Sequence, residues 1–298
     1  MKIENVTVAG SGVLGSQIAF HSAFNGFKVT VYDISKEAVE KAEDRIKSLK
    51  PYYERDVNAT EEQFDAGLNN LTYTDDLAAA VKNADIVIEA IPERPDIKRD
   101  FYHKIATLAP KDAIFASNSS TLVPSMFAAD TGRPKQFLNL HFANQVWLNN
   151  TAEVMGSPQT DPGIYQQVVH FARDIGMIPI QLKKEQPGYI LNSLLIPLLN
   201  AGQSLWVKGV ADPQLIDKTW MLATGAPMGP FAILDVVGLR TAYNITATQA
   251  AQSGSKELKE IADKTKELLD EGKLGRESGE GFYKYPNPAF QDPDFLKA

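Results

Sequence analysis

The stretch "VAGSGVLGSQIAF", residues 8–20, decides the fold of this chain. Its three glycines, Gly10, Gly12 and Gly15, stand at the spacing of a tight turn that joins a strand to a helix. Apolar residues at helical spacing follow the turn, and short β-branched runs lie on both sides of the segment. A strand, a glycine turn, a helix and a second strand together predict a βαβ unit with two parallel strands.

The glycine turn also predicts a ligand. The first glycine permits the tight turn, the second lets the backbone approach a phosphate, and the third allows close packing of helix on strand. Free N–H groups at the start of a helix attract anions. We therefore expect the pyrophosphate of a dinucleotide to bind at Gly10, Gly12, Val13, Leu14 and Gly15. The alternative interpretation is a glycine turn with a purely structural role.

Asp33 strengthens the prediction of a dinucleotide. It stands 18 residues after Gly15, at the end of the second predicted strand. A carboxylate at this place can bind both ribose hydroxyls of an adenosine, and it repels a 2′-phosphate. The two signals together favour NAD over NADP as the cofactor. FAD uses the same glycine spacing, but no second FAD signature is evident.

Length and composition narrow the class of protein. A chain of 298 residues is long enough for two hydrophobic cores. The net charge of −7 argues against nucleic acid or an anionic membrane as the main partner, because both require a basic face. The absence of cysteine excludes disulfides and thiolate chemistry, and no metal site is predicted. We therefore expect a small-molecule substrate.

No segment has the pattern of a targeting signal or a membrane span. The N-terminus "MKIENVTVAG" runs into a strand pattern without an apolar signal region. The most apolar later stretch, "YILNSLLIPLLNAGQSLWV", contains amide, hydroxyl and proline residues that are costly in lipid. This stretch is typical of a buried helix, and the protein is expected to be cytoplasmic.

Strand and helix patterns alternate along much of the chain. Such alternation predicts a mostly parallel sheet covered by helices, which is a Rossmann-type α/β domain. The predicted strands lie near residues 3–8, 28–32, 86–91, 113–117, 136–140, 151–157 and 177–182. The predicted helices of this region lie near residues 36–50, 95–108, 121–129 and 163–176.

Strand patterns nearly vanish after Pro187, whereas apolar residues at helical spacing persist. We predict a Rossmann-like NAD-binding domain over residues 1–186 and a smaller all-helical domain over residues 187–298. The last dozen residues are rich in Pro, Asp and Phe, and we expect them to form a loosely held tail.

The segment "HFANQVWLNNTAEV", residues 141–154, contains a candidate acid/base pair. His141 ends a predicted strand, and ligands of open α/β sheets bind at the carboxyl ends of strands. Histidine is the usual group that takes the hydroxyl proton when a nicotinamide enzyme oxidises an alcohol. Glu153, on the next predicted strand, can fix the imidazole tautomer and stabilise the imidazolium. A structural histidine and a solvated carboxylate are the alternative interpretation.

The polar run "SNSST", residues 117–121, follows another predicted strand. In the simplest interpretation one of its residues caps the next helix. A hydroxyl at this place would also lie beside a nicotinamide and could hydrogen-bond a substrate oxygen.

Together these motifs resemble the L-3-hydroxyacyl-CoA dehydrogenase family. The shared motifs run in the family's order over residues 3–285 and are "VAGSGVLGSQIA", "IVIEAIPE", "SNSSTL", "LHFAN", "QPGYILN", "GAPMGPFAILDVVGL" and "GEGFYKY". The resemblance implies an NAD-dependent enzyme that oxidises the 3-hydroxyl of an acyl-CoA thioester, such as 3-hydroxybutyryl-CoA, to a ketone. It also implies that the helical domain closes over the cleft and forms the interface of a homodimer.

The resemblance implies roles for individual residues. It makes His141 the general base, Glu153 its orienting partner, and Ser120 the hydrogen-bond donor at the substrate hydroxyl. Asn192 would reach in from the first helix of the second domain. Positions near the nicotinamide half of NAD correspond to Glu93, Lys98, Asn118 and Asn144. From the sequence alone, Asn192 could equally be a buried helix residue, and Glu93 with Lys98 a surface ion pair.

The chain departs from the family pattern at three places. Gln145 stands where the family has proline, "LNNTAE" replaces much of an apolar run, and Ser193 replaces an arginine. The region expected to bind the CoA phosphates is also poorer in lysine than in the family. The stretch "DRIKSLKPYYER" provides the candidate CoA contacts Ser48, Lys50 and Arg55. The charged side chains of this stretch could instead be a solvated helix face.

Three functions therefore compete. The first is a hydroxyacyl-CoA dehydrogenase for short chains, and the second is a related NAD-dependent dehydrogenase for a free hydroxy acid. The third is a catalytically idle NAD-binding protein, which loss of the histidine or the glutamate would favour. Related enzymes of the 3-hydroxyisobutyrate and 6-phosphogluconate type are disfavoured, because they use a lysine base on the helix where this chain has Asn192.

Overall fold

A computed structural model describes residues 2–297, which divide into two compact units. The first unit ends at Ile190 and the second begins at Leu191. This division falls a few residues after the boundary between 186 and 187 that the sequence indicates, and that boundary stays a prediction.

The first unit combines strands and helices in alternation. Its strands are β1 (Asn5–Ala9), β2 (Lys28–Tyr32), β3 (Leu71–Thr74), β4 (Ile86–Glu89), β5 (Ile114–Ser117), β6 (Phe137–Phe142), β7 (Thr151–Gly156) and β8 (Ile178–Leu182). Its helices are α1 (Val13–Phe24), α2 (Lys36–Lys47), α3 (Lys50–Val57), α4 (Glu61–Asn69), α5 (Leu77–Val81), α6 (Pro95–Leu108) and α7 (Pro162–Asp174).

These strands form one eight-stranded sheet in the order β3-β2-β1-β4-β5-β6-β7-β8. Neighbouring strands are parallel except β6 and β7, which pair antiparallel. The predicted mostly parallel sheet is therefore confirmed. The chain reverses its direction of travel across the sheet between β1 and β4, and such a switch point opens a crevice at the carboxyl ends of the strands.

Helices cover both faces of this sheet because successive side chains of a strand point to opposite faces. On one face, Val6 and Val8 of β1 belong to a buried cluster with Phe20 of α1. On the other face, Val87 of β4 belongs to a second buried cluster with Tyr102 of α6. The strands near the switch point are buried on both sides and hold their carboxyl ends in fixed positions.

One local prediction for the first unit is wrong, and one strand was not predicted. Residues 121–129 contain only the short 3-10 turn Pro124–Met126 instead of a helix, because proline keeps the preceding Val123 extended at ψ 152°. Residues 50–81, for which the sequence indicated no strand, contain β3 in addition to three helices. The strand β3 is only four residues long and is not fully buried, so its period-2 pattern is weak.

The second unit is helical. Its helices are α8 (Leu191–Val207), α9 (Pro213–Thr224), α10 (Pro230–Val237), α11 (Leu239–Ser253) and α12 (Lys256–Asp270). Their core includes Phe231, Leu234 and Leu239. Over residues 2–297, no helix has both the length and the apolar character needed to cross a membrane.

The prediction of a loosely held tail is wrong. Phe290 is buried in the core of the second unit, and Phe295 packs against that core. The Lys218 ammonium also donates to the Lys297 carbonyl oxygen at 2.7 Å. The aromatic residues of this segment supply apolar area whose burial outweighs the cost of ordering the chain.

Candidate active site

Two glycines of the turn after β1, Gly10 and Gly15, have no room for a side chain. Gly10 adopts φ +94°, and a Cβ on it would lie 2.5 Å from the Ala90 carbonyl oxygen. A Cβ on Gly15 would lie 1.9 Å from the Gly10 oxygen. Gly12 precedes α1, and no side chain caps this helix start. The first N–H groups of α1 are therefore left for a ligand, and the turn fits a pyrophosphate.

Two adjoining cavities meet at this turn. Gly12, Ala90 and Ile91 line both of them. One cavity, of about 440 Å³, reaches Asp33 at the end of β2. The other, of about 280 Å³, extends past Val13 and Leu14 to the polar residues after β5, including Ser120. A ligand with two halves joined at a pyrophosphate, such as NAD, fits this arrangement.

Backbone and side-chain donors fix the Asp33 carboxylate. Its Oδ2 accepts from the Ser11 backbone N–H at 2.8 Å and from Ser11 Oγ at 2.6 Å. Its Oδ1 accepts from the Ile34 N–H at 2.8 Å. An anion held in this position at the cavity wall suits the ribose hydroxyls of an adenosine and repels a 2′-phosphate.

His141 and Glu153 form a hydrogen-bonded pair. They lie directly opposite each other in the antiparallel pairing of β6 and β7, so both side chains project from the same face of the sheet. His141 Nδ1 and Glu153 Oε2 are 3.0 Å apart, and both side chains are buried. Because an ionised carboxylate only accepts hydrogen bonds, Nδ1 carries the proton and Nε2 is left as the acceptor.

The Ser120 hydroxyl connects this pair to the smaller cavity. Ser120 Oγ lies 3.1 Å from His141 Nε2, and Ser120 lines the smaller cavity. Glu153 Oε1 accepts from the Ile190 backbone N–H at 3.0 Å, which fixes the carboxylate. The result is a chain of hydrogen bonds from the backbone, through carboxylate and imidazole, to a hydroxyl at the cavity wall.

Lys98 is a buried cation and lies in an acidic surrounding. Its Nζ is 2.5 Å from Glu89 Oε1 and 3.2 Å from Glu93 Oε2, and its side chain is 1% exposed. Tyr102 and Ser117 each donate a hydroxyl to Glu89 Oε2 at 2.8 Å. The interpretation of Glu93 and Lys98 as a plain surface pair is therefore wrong for the lysine.

The carboxylate of Glu93 is held in its ionised form. Burial alone would raise its pKa, but hydrogen bonds from Ser119 and Thr121, together with the Lys98 charge, keep the pKa below its usual value. Glu93 and Lys98 both line the smaller cavity. This wall therefore presents a fixed charge of each sign to a bound ligand.

The sequence did not single out Glu89 or Tyr189. Glu89 is an acidic residue that ends an otherwise apolar strand beside β1, and that position is the signal that could have identified it. Tyr189 is fully buried and its ring stacks on the His141 imidazole at a centroid distance of 4.6 Å. Only its place after Pro187 and Gly188 distinguishes Tyr189 in the sequence.

The remaining predicted residues of the first unit lie in different surroundings. Asn118 lines the smaller cavity, and its Oδ1 accepts from the Phe142 N–H at 2.9 Å. Asn144 is exposed, and its carbonyl oxygen accepts from Asn149 Nδ2 at 2.7 Å. The asparagine at 118 thus has both a fixed orientation and access to the cavity.

Each candidate CoA contact already has a partner within the chain. Ser48 Oγ donates to the Arg45 carbonyl oxygen at 2.6 Å. Lys50 pairs with Glu61, and Arg55 makes two hydrogen bonds to the Asp56 carboxylate.

Asn192 lies in the second unit. It is the second residue of α8 and is partly buried. Its predicted reach toward the substrate stays a prediction.

Comparison with known proteins identifies the family of this chain. Residues 5–186 match the model of the 3-hydroxyacyl-CoA dehydrogenase NAD binding domain, and residues 188–285 match that of the C-terminal domain of the same family. The human mitochondrial hydroxyacyl-coenzyme A dehydrogenase is 33% identical over 95% of this chain and 91% of its own length. A probable 3-hydroxybutyryl-CoA dehydrogenase of Bacillus subtilis is 33% identical over 96% of this chain and 98% of its own length.

A solved diketoreductase, described by its substrate-directed dual catalysis of dicarbonyl compounds, is also similar. It is 56% identical, with a TM-score of 0.91, over 96% of this chain and 100% of its own. Both domains of one family model therefore match this chain in sequence order. The chain belongs to the 3-hydroxyacyl-CoA dehydrogenase family and is an oxidoreductase with an NAD-binding domain.

Proposed function

We propose that this chain interconverts a 3-hydroxyl and a 3-ketone in a compound whose C1 is a carbonyl. The observation that carries the proposal is the hydrogen-bonded chain of Ser120, His141 and Glu153 at the wall of the cavity that adjoins the glycine turn. Removal of hydride from an alcohol carbon requires a base at its hydroxyl, and the imidazole has the right tautomer for that base. When bound, NAD supplies the hydride acceptor.

Within this proposal His141 Nε2 takes the proton of the substrate hydroxyl. The imidazolium that results donates through Nδ1 to Glu153 Oε2, so the positive charge forms beside a fixed negative charge. Because Ser120 Oγ and His141 Nε2 are 3.1 Å apart, one substrate oxygen can contact both. In the reverse direction the same imidazolium returns the proton to the alkoxide.

The cavity walls supply the binding contacts. We assign the pyrophosphate to the N–H groups of Gly12, Val13 and Leu14, and the adenosine ribose to Asp33. Glu93, Lys98, Asn118 and Asn144 are the proposed contacts of the nicotinamide half, and three of them line one cavity, namely Glu93, Lys98 and Asn118. Asn192 remains the proposed polar contact of the substrate from the second unit.

The reacting group could belong to a CoA thioester or to a compound without CoA. The family and its relatives of 33% identity favour a short 3-hydroxyacyl-CoA, such as 3-hydroxybutyryl-CoA, with Ser48, Lys50 and Arg55 near the CoA phosphates. The similarity to a diketoreductase of 56% identity favours a compound without CoA. The ion pairs of Lys50 and Arg55 favour the second candidate as well.

We also propose that the chain forms a homodimer in the cytoplasm. Large apolar side chains of the second unit are exposed, among them Leu194 at 70% and Leu222 at 56%, and a partner would cover them. Light scattering after size-exclusion chromatography measures the oligomeric state, and a monomer at micromolar concentration would contradict the proposal.

A panel assay tests the proposed reaction. NADH absorbance is followed with acetoacetyl-CoA, acetoacetate and a β-keto ester, and then with the corresponding 3-hydroxy compounds in the reverse direction. We expect turnover of at least one pair, with NAD preferred over NADP. No turnover of any member, in a protein that binds NADH, would favour the idle NAD-binding alternative.

A further inference from the structure

The helix α3 and the segment around Trp147 indicate whether the substrate of this chain is attached to CoA. We propose that the chain oxidises a 3-hydroxyl or reduces a 3-ketone without binding the nucleotide end of a CoA thioester. The preferred substrate is then a small β-hydroxy or β-keto acid or ester. The inference rests on the proposed function and concerns the specificity of the same site.

Arg55 is neutralised by the residue that follows it. Its Nε and Nη2 donate to the two oxygens of Asp56 at 2.6 and 2.8 Å. A guanidinium bound to a carboxylate through two hydrogen bonds is strongly oriented. The Asp56 side chain is only 12% exposed although Arg55 is 65% exposed, so the acid belongs to the folded structure and not to a mobile surface pair.

Trp147 holds this carboxylate in place. Its indole Nε1–H donates to Asp56 Oδ2 at 2.8 Å. The indole is 7% exposed and packs against the rings of Tyr52 and Tyr53 of α3. Arg55 in turn lies over the Tyr52 ring, 5.2 Å from its centroid. Release of Arg55 to a phosphate would therefore leave a partly buried acid with only one of its partners.

The other cations of this region are also engaged. Lys50 pairs with Glu61 at 2.5 Å, and Lys47 pairs with Glu43 at 2.7 Å. Arg45 points inward and donates to the Ser11 carbonyl oxygen at 2.6 Å. Residues 43–61 contain four basic and five acidic side chains, a net charge of 4 − 5 = −1. A segment with this balance does not attract the phosphates of CoA.

A turn at Gln145 immediately precedes Trp147. Gln145 adopts φ +60°, which the fixed ring of a proline does not allow. Its N–H donates to Gln17 Oε1 at 2.7 Å, and its carbonyl oxygen accepts from the Leu148 and Asn149 N–H groups at 2.8 Å. The turn at Gln145 and the Asp56 carboxylate that pairs with Arg55 thus belong to one local structure, joined by Trp147.

Two thioesters that differ only in their carrier test the inference. Acetoacetyl-CoA and acetoacetyl-N-acetylcysteamine present the same reacting group, but the second lacks the nucleotide. We expect kcat/KM values for NADH-dependent reduction within about threefold of each other. A preference for acetoacetyl-CoA of a hundredfold or more would overturn the inference. No reduction of either compound, or of a β-keto ester, would instead contradict the proposed function.

The variant Arg55→Ala gives a second, independent readout. Because Arg55 is exposed and already paired, its loss should affect both thioesters alike. The ratio of their kcat/KM values should stay within about twofold of the wild-type ratio. The control is Glu54→Ala at the neighbouring exposed position of α3. A tenfold loss confined to acetoacetyl-CoA in Arg55→Ala, without such a loss in Glu54→Ala, would overturn the inference.

Discussion

The Tyr189 ring lies stacked on the His141 imidazole, with the centroids 4.6 Å apart and the planes within 14° of each other. Tyr189 is itself fixed, because its hydroxyl donates to the Ser119 carbonyl oxygen at 2.6 Å and accepts from Asn139 Nδ2 at 2.9 Å. The stacked ring confines the imidazole to one plane, and the bond to Glu153 then sets its orientation in that plane.

The ring stacking and the hydroxyl contacts of Tyr189 can be separated by mutation. Tyr189→Phe keeps the stacked ring and loses the hydroxyl contacts, so we expect a loss of about 1–2 kcal/mol in stability and less than a tenfold loss in kcat. Tyr189→Ala also leaves a cavity beside the imidazole, which costs about 3–5 kcal/mol. We expect a larger loss of kcat in the alanine variant at a temperature where it is folded. Equal kcat values for the two variants would show that stacking does not position His141.

Loss of the imidazole should slow proton transfer and spare cofactor binding. We expect His141→Ala to reduce kcat by about 10²–10⁴, the usual contribution of a general base. Its affinity for NAD, measured by calorimetry, should stay within about threefold of the wild type. His170→Ala, at an exposed position of α7, is the control. Turnover at the wild-type rate in His141→Ala would exclude His141 as the base.

Asp33 should decide the choice between NAD and NADP. Asp33→Ser removes the carboxylate proposed to bind the ribose hydroxyls, and a hydrogen bond to a charged group contributes about 1.5–3 kcal/mol. We expect the KM for NAD to rise by about 10- to 100-fold, and the preference over NADP to shrink. Glu40→Ser, on the exposed face of α2, serves as the control. An unchanged ratio of kcat/KM for the two cofactors would contradict the assignment.

Proline should not be tolerated in place of Gln145. The backbone at φ +60° would have to rearrange, and the buried Gln17 side chain would lose its donor. An unsatisfied buried acceptor costs about 1–3 kcal/mol. Gln145→Gly suits a positive φ and should stay within about 1 kcal/mol of the wild type. Urea denaturation compares the two variants, and a fully stable Gln145→Pro would show that the turn can adopt another conformation.

Burial of His21 predicts a loss of stability in acid. Burial lowers the pKa of His21 from 6.5 to about 4, so the unfolded chain binds a proton between these pH values while the folded chain does not. The contribution of His21 to the free energy of unfolding is therefore complete above pH 6.5. It falls by roughly 3 kcal/mol between pH 6.5 and pH 4, at about 1.4 kcal/mol per pKa unit.

Replacement of His21 tests this pH dependence. We expect His21→Phe to reduce the difference in unfolding free energy between pH 7 and pH 4.5, and His170→Gln, at an exposed position, to leave it unchanged. If wild type and His21→Phe have the same pH dependence, the buried imidazole is not the group responsible.

Local sequence patterns were sufficient to predict the fold class and to propose the residues of the site. The glycine spacing requires a tight turn, and Asp33 follows at the end of the next strand, because both signals are local to one βαβ unit. His141 and Glu153 are 12 residues apart in adjacent strand patterns. Such a spacing allows a direct cross-strand contact, and the antiparallel register of β6 and β7 places the two residues opposite each other.

Which charged side chains are paired within the chain could be seen only in the tertiary structure. Lys50 pairs with an acid 11 residues away, and Trp147 reaches Asp56 across 91 residues of sequence. The burial of Lys98 between two glutamates and the stacking of Tyr189 on His141 likewise depend on how separate elements pack. Periodicity in a sequence encodes each helix and strand, whereas the neighbours of a side chain are set by the packing of segments far apart in the chain.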